Sequence, residues 1–329
     1  MKETAPPEKR AAQSSCCPGS GRKGRLMKCA VIDIGSNSMR LTVYDAQKDS
    51  FKILFKEKIM TALAGYVEKG KLTQEGIDSA CSALMEFRHR LDVLEIRDVY
   101  VFATASLRNI SNTGEAVEKI RKAAGFPIEV VSGEEEAMYG FIGAATDVPL
   151  KEGVFVDIGG ASTEISVFCG GKMQKAFSFP IGSLKLYREC VKGIVPGRGA
   201  LRRMEKRIGE EIGDQVFSCS PDGGRIVCIG GTSRAVLKLA RRGFSLEEGQ
   251  NHIRTRQLNE LCDLIFKADK ESCDLILKSV PERIHTLIPG MMILRYITDR
   301  FHASEITISD YSVREGYLCQ KIQQNRQTK

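Results

Sequence analysis

The chain has 329 residues, of which 42% are hydrophobic and 27% are charged, and its formal net charge is +8. This length predicts about two domains with a sizeable core. The sequence has no run near the roughly 20 apolar residues of a membrane span and no apolar signal-peptide core, so we expect a cytosolic protein that makes no membrane contact.

Residues 1–26 form a separate basic segment. They hold six basic side chains against Glu3 and Glu8, so this segment supplies +4 of the net charge and leaves +4 for the rest of the chain. The segment is rich in Pro, Gly and Ser and lacks hydrophobic periodicity, which predicts a disordered tail. A solvated extension is favoured over weak nucleic-acid binding, so no specific nucleic-acid partner is expected. The modest positive charge of the remaining chain suits an anionic substrate.

The eleven cysteines are scattered through apolar segments, as Cys29 and Cys228 are, and no CxxC pair has metal-ligand spacing. We interpret them as reduced core thiols. Cys16 and Cys17 stand together in the tail, where a disulfide or a metal site is the less favoured alternative.

The first half of the chain predicts an α/β domain over residues 27–148. Short apolar runs predict strands at 29–34, 38–45, 51–59, 99–103 and 128–131. Apolar residues at helical spacing predict helices at 74–94 and 113–124, the second of which ends at Gly125. Residues 132–137 open a further helix with three glutamates in its first turn, where the helix dipole favours negative charge.

The second half, over residues 149–311, repeats this order. Strands are predicted at 153–158, 162–169, 173–180, 225–229 and 305–308, and helices at 183–191, 200–214, 255–266, 270–279 and 289–301. The repetition predicts a duplicated fold whose halves face each other across a cleft. A last helix at about 312–325 is expected to pack back on the first domain.

The same kind of loop occurs twice, as DIGSNS at 33–38 and as DIGGAST at 157–163. One Asp-x-Gly alone also marks an ordinary hairpin turn. Two copies, whose Asp33 and Asp157 lie 124 positions apart, instead predict a phosphate clamp with one loop per domain. Glycine lets backbone N–H groups approach an anion, hydroxyls add donors, and the aspartate can hold a divalent cation. A Gly-Gly-Thr sequence at 230–232 is either a third anion site or a plain strand-to-helix turn.

Seven motifs occur in the order found in the exopolyphosphatase and guanosine pentaphosphate phosphatase (Ppx/GppA) family. They are DIGSNSMRL, FATASLRN, SGEEEA, FVDIGGASTE, FPIGSLKL, IGGTSRA and SDYSVREG, and they span about residues 28–318. The chain resembles a short, two-domain member of this family. The resemblance implies two duplicated ribonuclease H-like domains of the actin, Hsp70 and sugar kinase superfamily, with a phosphate cleft between them.

The resemblance implies Mg²⁺-dependent hydrolysis of the terminal phosphoanhydride of inorganic polyphosphate, with release of orthophosphate. The alternatives are a guanosine pentaphosphate phosphatase, a non-catalytic phosphate or nucleotide sensor, and a sugar or acetate kinase. A sensor needs no catalytic acids, so the set Glu136, Asp157 and Glu164 argues against it, and SGEEEA fits hydrolysis better than phosphoryl transfer to a sugar. Short relatives often pair, so a homodimer is an expectation from the resemblance.

The resemblance also implies roles for individual residues. Glu136 matches the general base and would otherwise be interpreted as a solvated first-turn glutamate. Asp157 and Glu164 match positions associated with Mg²⁺, although Glu164 alone reads as an exposed strand residue. Asp33 is the corresponding acid of the first loop and is expected to orient metal, water or phosphate. The phosphate-binding positions that the resemblance implies are Asp33, Gly35, Ser36, Asn37, Ser38, Arg108, Gly159, Gly160, Ala161, Ser162, Thr163, Gly230, Gly231 and Thr232.

Two further arginines, Arg40 and Arg283, match positions linked to guanosine pentaphosphate recognition in some relatives. Surface arginines are common, so a plain solvated role is the alternative for both, as it is for Arg108. The second loop departs from the family pattern at Ala161, where a third glycine is usual. A methyl group fits there only if φ is negative.

Overall fold

The computed structural model describes residues 27–47, 50–214, 216 and 224–327, which fold into two mixed sheets flanked by helices. The strands are β1 (Met27–Ile34), β2 (Ser38–Ala46), β3 (Phe51–Met60), β4 (Val67–Glu68), β5 (Lys71–Leu72), β6 (Asp98–Ala103), β7 (Ile128–Val130), β8 (Glu152–Ile158), β9 (Thr163–Cys169), β10 (Lys172–Phe179), β11 (Arg225–Ile229), β12 (His252–Arg254) and β13 (Glu305–Ile308). The predicted tail at 1–26, with Cys16 and Cys17, lies outside the described residues.

The helices alternate with these strands. They are α1 (Gln74–Val93), α2 (Ala105–Arg108), α3 (Thr113–Ala124), α4 (Gly133–Ala144), α5 (Ser183–Cys190), α6 (Arg198–Ile212), α7 (Gly230–Phe244), α8 (Thr255–Ile265), α9 (Lys270–Ser279), α10 (Leu287–Arg300) and α11 (Val313–Gln327). None of these described helices is both long and apolar enough to span a bilayer.

Both sheets have the same topology. The first has the order β3-β2-β1-β6-β7, in which β1, β2 and β3 pair antiparallel and β6 and β7 join in parallel. The second repeats it as β10-β9-β8-β11-β13, with β12 as an antiparallel edge strand. Parallel neighbours need a crossover connection, which here is helical in both halves. The predicted α/β fold, a duplicated ribonuclease H-like domain, is therefore confirmed.

Apolar side chains form three cores in layers. The outer face of the first sheet packs against α1 and α3, and the outer face of the second packs against α5 to α10. The third core lies between the sheets, where Val31 of β1 and Phe155 of β8 join Tyr139 of α4 and Tyr317 of α11. Helices α4 and α11 therefore form a middle layer on which the inner faces of both sheets pack.

Glycines allow these two middle helices to touch. A Cβ atom at Gly143 of α4 would overlap the carbonyl oxygen of Ser312, and one at Gly316 of α11 would overlap that of Tyr139. The other end of α11 lies on the first sheet, because Lys321 forms a 2.7 Å ion pair with Glu129 of β7. The domain bounds 27–148 and 149–311 stay a prediction.

The sequence patterns missed short elements and misplaced some ends. β4, β5, α2 and β12 were not predicted, because two to four residues are too few to show a period. Helix α10 begins at Leu287, two residues before the predicted start at Pro289. Proline is tolerated in a first turn, whose N–H groups have no partner within the helix. None of the eight cysteines of the described residues forms a disulfide, but Cys169 is exposed and is not the core thiol expected.

Candidate active site

The two predicted loops are equivalent hairpin turns. A Cβ atom at Gly35 would lie 2.9 Å from the carbonyl oxygen of Ser38, and one at Gly159 would lie 3.0 Å from that of Ser162. Real Cβ atoms hardly ever approach a backbone oxygen so closely, and each turn therefore requires its first glycine. The matching contacts show that the duplication extends to atomic detail.

The turns face each other across the cleft. A Cβ atom at Gly160 would lie 3.6 Å from the Cβ atom of Ser36 in the opposite turn. Beside this contact is a cavity of about 130 Å³, to which both halves contribute. The predicted site residues that line it are Asp33, Gly35, Asn37, Ser38, Arg40, Glu136, Asp157, Gly159, Gly160, Gly230, Gly231 and Arg283.

Charges at equivalent positions of the two hairpins differ in sign. In the first hairpin Asp33 lies directly opposite Arg40 across β1 and β2. In the second, Asp157 lies opposite Glu164 across β8 and β9. Cross-strand partners point to the same face of a sheet. The first hairpin therefore presents an acid beside a base, whereas the second presents two acids. The second hairpin therefore has an unbalanced negative charge.

Glu136 enters the cavity from the first turn of α4. Ser132 caps that helix: its Oγ accepts a 3.1 Å hydrogen bond from the Glu135 backbone N–H, and the Glu135 carboxylate accepts a 2.7 Å bond from the Ser132 N–H. This reciprocal capping box fixes where the helix begins. Glu136 is only 8% exposed, which excludes the solvated first-turn alternative. Burial raises the pKa of Glu136 to about 7, although Arg108 opposes the shift.

Arg108 connects the acids and does not line the cavity. Its Nη1 lies 2.8 Å from Glu136 Oε2 and donates a 3.0 Å hydrogen bond to the carbonyl oxygen of Val131. Its Nη2 lies 3.8 Å from Glu164 Oε1. This places the guanidinium, predicted to contact phosphate, behind the general-base candidate. In the described structure it orients Glu136.

Asp157 and Glu164 are the predicted metal ligands, and the structure fits a cation in one respect. The Glu164 Oε1 atom accepts a 2.9 Å hydrogen bond from Ser178, whereas Oε2 is buried without a partner among the described residues. Burial raises the pKa of Asp157 to about 6, and burial together with the charges of Glu136 and Asp157 raises the pKa of Glu164. The charges of Arg234 and Arg40 oppose the shift of the Asp157 pKa, but burial outweighs them. Glu164 is buried, so the exposed-face alternative is wrong.

No group of three or more His, Cys, Asp or Glu side chains among the described residues is placed to hold a metal ion. Two carboxylates alone leave most positions of a hard divalent cation free. A cation at Asp157 and Glu164 would therefore depend on water and substrate oxygens for its remaining ligands, as Mg²⁺ sites commonly do.

Several predicted phosphate ligands do not line the cavity. They are Ser36, Arg108, Ala161, Ser162, Thr163 and Thr232. The predicted metal ligand Glu164 does not line it either. The Thr163 hydroxyl donates a 2.6 Å hydrogen bond to the Ile181 carbonyl oxygen, and the Thr232 hydroxyl lies 3.4 Å from that of Ile158. The hydroxyls of these two threonines thus contact backbone carbonyl oxygens in the described structure, and the role of both residues as phosphate ligands stays a prediction.

Ala161 fits its turn without strain. Six non-glycine residues in the described part of the chain have positive φ, and Ala161 is not among them. The methyl group that replaces the family's third glycine is therefore compatible with the loop.

Basic side chains also line the cavity. A Cβ atom at Gly231 would overlap the Arg283 guanidinium, which lies across the start of α7. Burial, followed by the charge of Arg40, lowers the pKa of Arg283 to about 10. Arg314 at the start of α11 forms a 3.2 Å ion pair with Asp33. The site thus combines cationic side chains with buried acidic ones in one cavity.

Sequence reasoning missed nine residues that line the cavity: Lys58, Thr104, Ile158, Ser183, Leu184, Thr286, Ser312, Val313 and Arg314. Seven of them lie inside the quoted motifs, Thr104 in FATASLRN and Arg314 in SDYSVREG, for example, so the motifs carried an unused signal. Lys58 lies opposite Arg40 across β2 and β3, a pairing that appears only once the register is known.

Comparisons with known proteins agree with this geometry. The sequence profile of the Ppx/GppA phosphatase family matches residues 42–325. Exopolyphosphatase 1 of Mycobacterium tuberculosis is 25% identical over 307 residues, which are 90% of this chain and 88% of that protein. The guanosine-5′-triphosphate,3′-diphosphate pyrophosphatase of Vibrio cholerae is 27% identical over 313 residues, which are 91% of this chain but 60% of that protein.

A crystal structure of an exopolyphosphatase from Cytophaga hutchinsonii superposes on this fold with a TM-score of 0.81. The two chains are 22% identical, and the match covers 91% of this chain and 98% of the other. At this identity the likeness shows the shared fold.

Proposed function

Because the chain belongs to the Ppx/GppA phosphatase family, we propose that it is an exopolyphosphatase, which hydrolyses the terminal phosphoanhydride of inorganic polyphosphate and releases orthophosphate. Relatives that match nearly the whole chain are named for hydrolysis of phosphoanhydrides, and the chain is an enzyme of that class. The observation that carries the proposal is the position of Glu136. Its buried carboxylate lines the same cavity as both glycine turns.

Glu136 is proposed as the general base. A base is most useful when its pKa lies near the working pH, and burial places that of Glu136 at about 7. Its carboxylate would take a proton from water as the water oxygen bonds to the terminal phosphorus. The bridging P–O bond then breaks, and the shortened chain leaves with the bonding electron pair. Arg108 holds the carboxylate through the 2.8 Å ion pair.

The two turns are proposed to hold the terminal phosphate. Backbone N–H groups at Gly35 and Gly160 can approach phosphate oxygens closely, and Ser38 adds a hydroxyl at the cavity wall. Arg40 and Arg283 lie where the next phosphate would enter, and guanidinium groups suit phosphate oxygens. Positioning and charge neutralisation are the main tasks in phosphoryl transfer.

Mg²⁺ is the proposed cofactor, with Asp157 and Glu164 as the protein ligands. The unpartnered Oε2 of Glu164 and the raised carboxyl pKa values support this choice. When bound, the ion would neutralise charge on phosphate oxygens. The preference for magnesium, a cytosolic location and a homodimeric state stay predictions.

Guanosine pentaphosphate is the second candidate substrate. The relative from Vibrio cholerae carries a name of that activity, and Arg40 and Arg283 both line the cavity where they were expected to contact such a nucleotide. Values of kcat/KM measured side by side on polyphosphate and guanosine pentaphosphate decide between them. A tenfold or greater preference for the nucleotide would reject the exopolyphosphatase assignment.

Replacement of the base tests the proposal. In Glu136→Gln we expect orthophosphate release from polyphosphate to fall by about 10²–10⁴-fold, the usual contribution of a general base. The wild-type rate should fall as the pH drops below about 7, because protonated Glu136 cannot accept the water's proton. Glu134→Gln is the matched control, since Glu134 is an exposed residue of the same turn. Full activity in Glu136→Gln, or tight polyphosphate binding by the wild type without turnover in Mg²⁺, would refute it.

A further inference from the structure

A second cavity adjoins the catalytic one. It has a volume of about 530 Å³, and Arg40, Lys58 and Arg314 line both. Lys56 of β3 and Arg234 of α7 line only the second. Five cationic side chains therefore surround one space that opens beside the scissile site.

Strand register arranges three of these cations in rows. Arg40 lies directly opposite Lys58 across β2 and β3, and the next pair on the same face is Thr42 with Lys56. Strands rise about 3.4 Å per residue, so the two rows are about 7 Å apart. Like charges directly opposite each other destabilise a sheet. Asp33 lies on the other side of Arg40 but forms its ion pair with Arg314, so an anion between Arg40 and Lys58 would offset the repulsion between them.

Four of the five cations lack an acidic partner. No side-chain hydrogen bond and no ion pair within the described part of the chain involves Arg40, Lys56, Lys58 or Arg234. The Nη1 atom of Arg234 is also buried. Arg314 is 5% exposed and pairs with Asp33, but its Nε is buried and unpartnered. Buried donors without acceptors are costly, so Arg234 Nη1 and Arg314 Nε, beside the exposed Lys56 and Lys58, favour the binding of an anion.

Three acids line the second cavity, and two of them are already engaged, whereas the third, Asp310, is exposed. Glu57 forms a 2.9 Å ion pair with Arg90. The two oxygens of Asp147 accept hydrogen bonds from the Ser309 hydroxyl and the Asp310 N–H at 2.6 and 2.9 Å. Glu57 and Asp147 are thus poor counterions for the unpaired cations, and the single charge of Asp310 is too small to balance four of them.

We propose that the second cavity is a subsite for the distal phosphates of the polyanion whose terminal phosphate enters the catalytic cavity. This inference rests on the proposed function and deepens it. Arg40 and Lys58 belong to both spaces and would contact the chain where it passes from one to the other. Arg234, Arg314 and Lys56 would bind phosphates farther along. A chain too short to reach the second cavity gains nothing from it.

The test measures binding without turnover. In a Glu136→Gln background, the Kd for long-chain polyphosphate and for tripolyphosphate is compared with and without Lys56→Gln. Lys56 is exposed, so its loss should not disturb folding. We expect the Kd for the long chain to rise about fivefold, as for one phosphate contact of about 1 kcal/mol, while the Kd for tripolyphosphate stays within about twofold. Arg234→Gln should act in the same direction.

Lys52→Gln is the control, because Lys52 is another exposed lysine of β3 that lines neither cavity. Equal changes for both chain lengths, or no change in Lys56→Gln and Arg234→Gln, would overturn the subsite. So would a free-anion site, revealed if orthophosphate changes the wild-type rate on tripolyphosphate but not that of Lys56→Gln. Failure of the wild type to hydrolyse any polyphosphate would reject the proposed function separately, because the binding comparison needs no turnover.

Discussion

Three carboxyl groups at the site, those of Glu136, Asp157 and Glu164, have pKa values raised by burial. Arg108 is the one cation within ion-pair distance of any of them among the described residues. Such a group of acids opposes folding when it is charged. The chain thus sacrifices stability at the residues that the proposed reaction needs.

Glu164→Gln should reveal that cost. The folded-state pKa of Glu164 lies above its unfolded value, so its favourable contribution is complete below the unfolded pKa and is lost as pH rises through the folded pKa. Glutamine stays neutral, so the Tm of the variant should gain on that of the wild type as pH rises from 5 to 8, while hydrolysis falls. Glu118→Gln is the control, because the pKa of this exposed glutamate is lowered by Arg121. A Tm difference that is constant with pH would contradict the assignment.

Single residues also show what sequence could and could not predict. Glu136, Asp157 and residues of both glycine turns line one cavity, and sequence could point to them because each belongs to a short local motif. Arg108, Thr163 and Thr232 were expected to touch phosphate, but side-chain direction depends on tertiary partners such as the carbonyl of Ile181. The same limit applies to Lys56 and Arg234, whose shared cavity follows from strand register and a distant helix.

At the scale of elements, α4 sets the position of the proposed base. Ser132 and Glu135 cap the helix reciprocally, and Glu136 is the next residue. Long elements such as α1 and α4 were predicted well, because their apolar periods and caps are local. The order of strands in each sheet is not local, and the repetition of motifs was the only sequence signal for it.

Two cap variants distinguish an effect on the position of Glu136 from an effect on the stability of the whole protein. Ser132→Ala should lower the free energy of unfolding by about 1 kcal/mol and also lower kcat by about tenfold, because the start of α4 loosens. Thr73→Ala removes a similar cap from α1, where the threonine accepts a 3.3 Å hydrogen bond from the Gly76 N–H, and should reduce stability alone. Urea unfolding and phosphate release check both variants. If kcat falls equally in the two, capping of α4 has no special role.

At the scale of the whole molecule, the middle layer joins the two halves. Both α4 and α11 lie between the sheets, and they touch at Gly143 and Gly316. Arg314, in the first turn of α11, reaches Asp33 at the end of β1. The proposed site therefore lies close to the contact between α4 and α11 and to the ion pair that joins α11 to β1.

Gly316→Ala should test the helix contact. Its methyl group would overlap the Tyr139 carbonyl oxygen, so the helices must separate, and overpacking of this kind costs about 1–3 kcal/mol. We expect Tm to fall by on the order of 5 °C in thermal unfolding. Gly114→Ala in α3 is the matched control, because its Cβ would meet nothing within 4 Å. Equal Tm values for the two variants would show that α4 and α11 adjust freely.

Glu136 lies at some distance along α4 from the point where α4 crosses α11. Seven residues (143 minus 136) separate the glutamate from the Gly143 contact, a length of about 10 Å at 1.5 Å per residue. If α4 tilted by about 5° about that contact, the carboxylate would move by about 1 Å. A displacement of this size can change a reaction rate about 100-fold. A tilt of α4 about its contact with α11 would therefore move the carboxylate that is proposed to accept the proton.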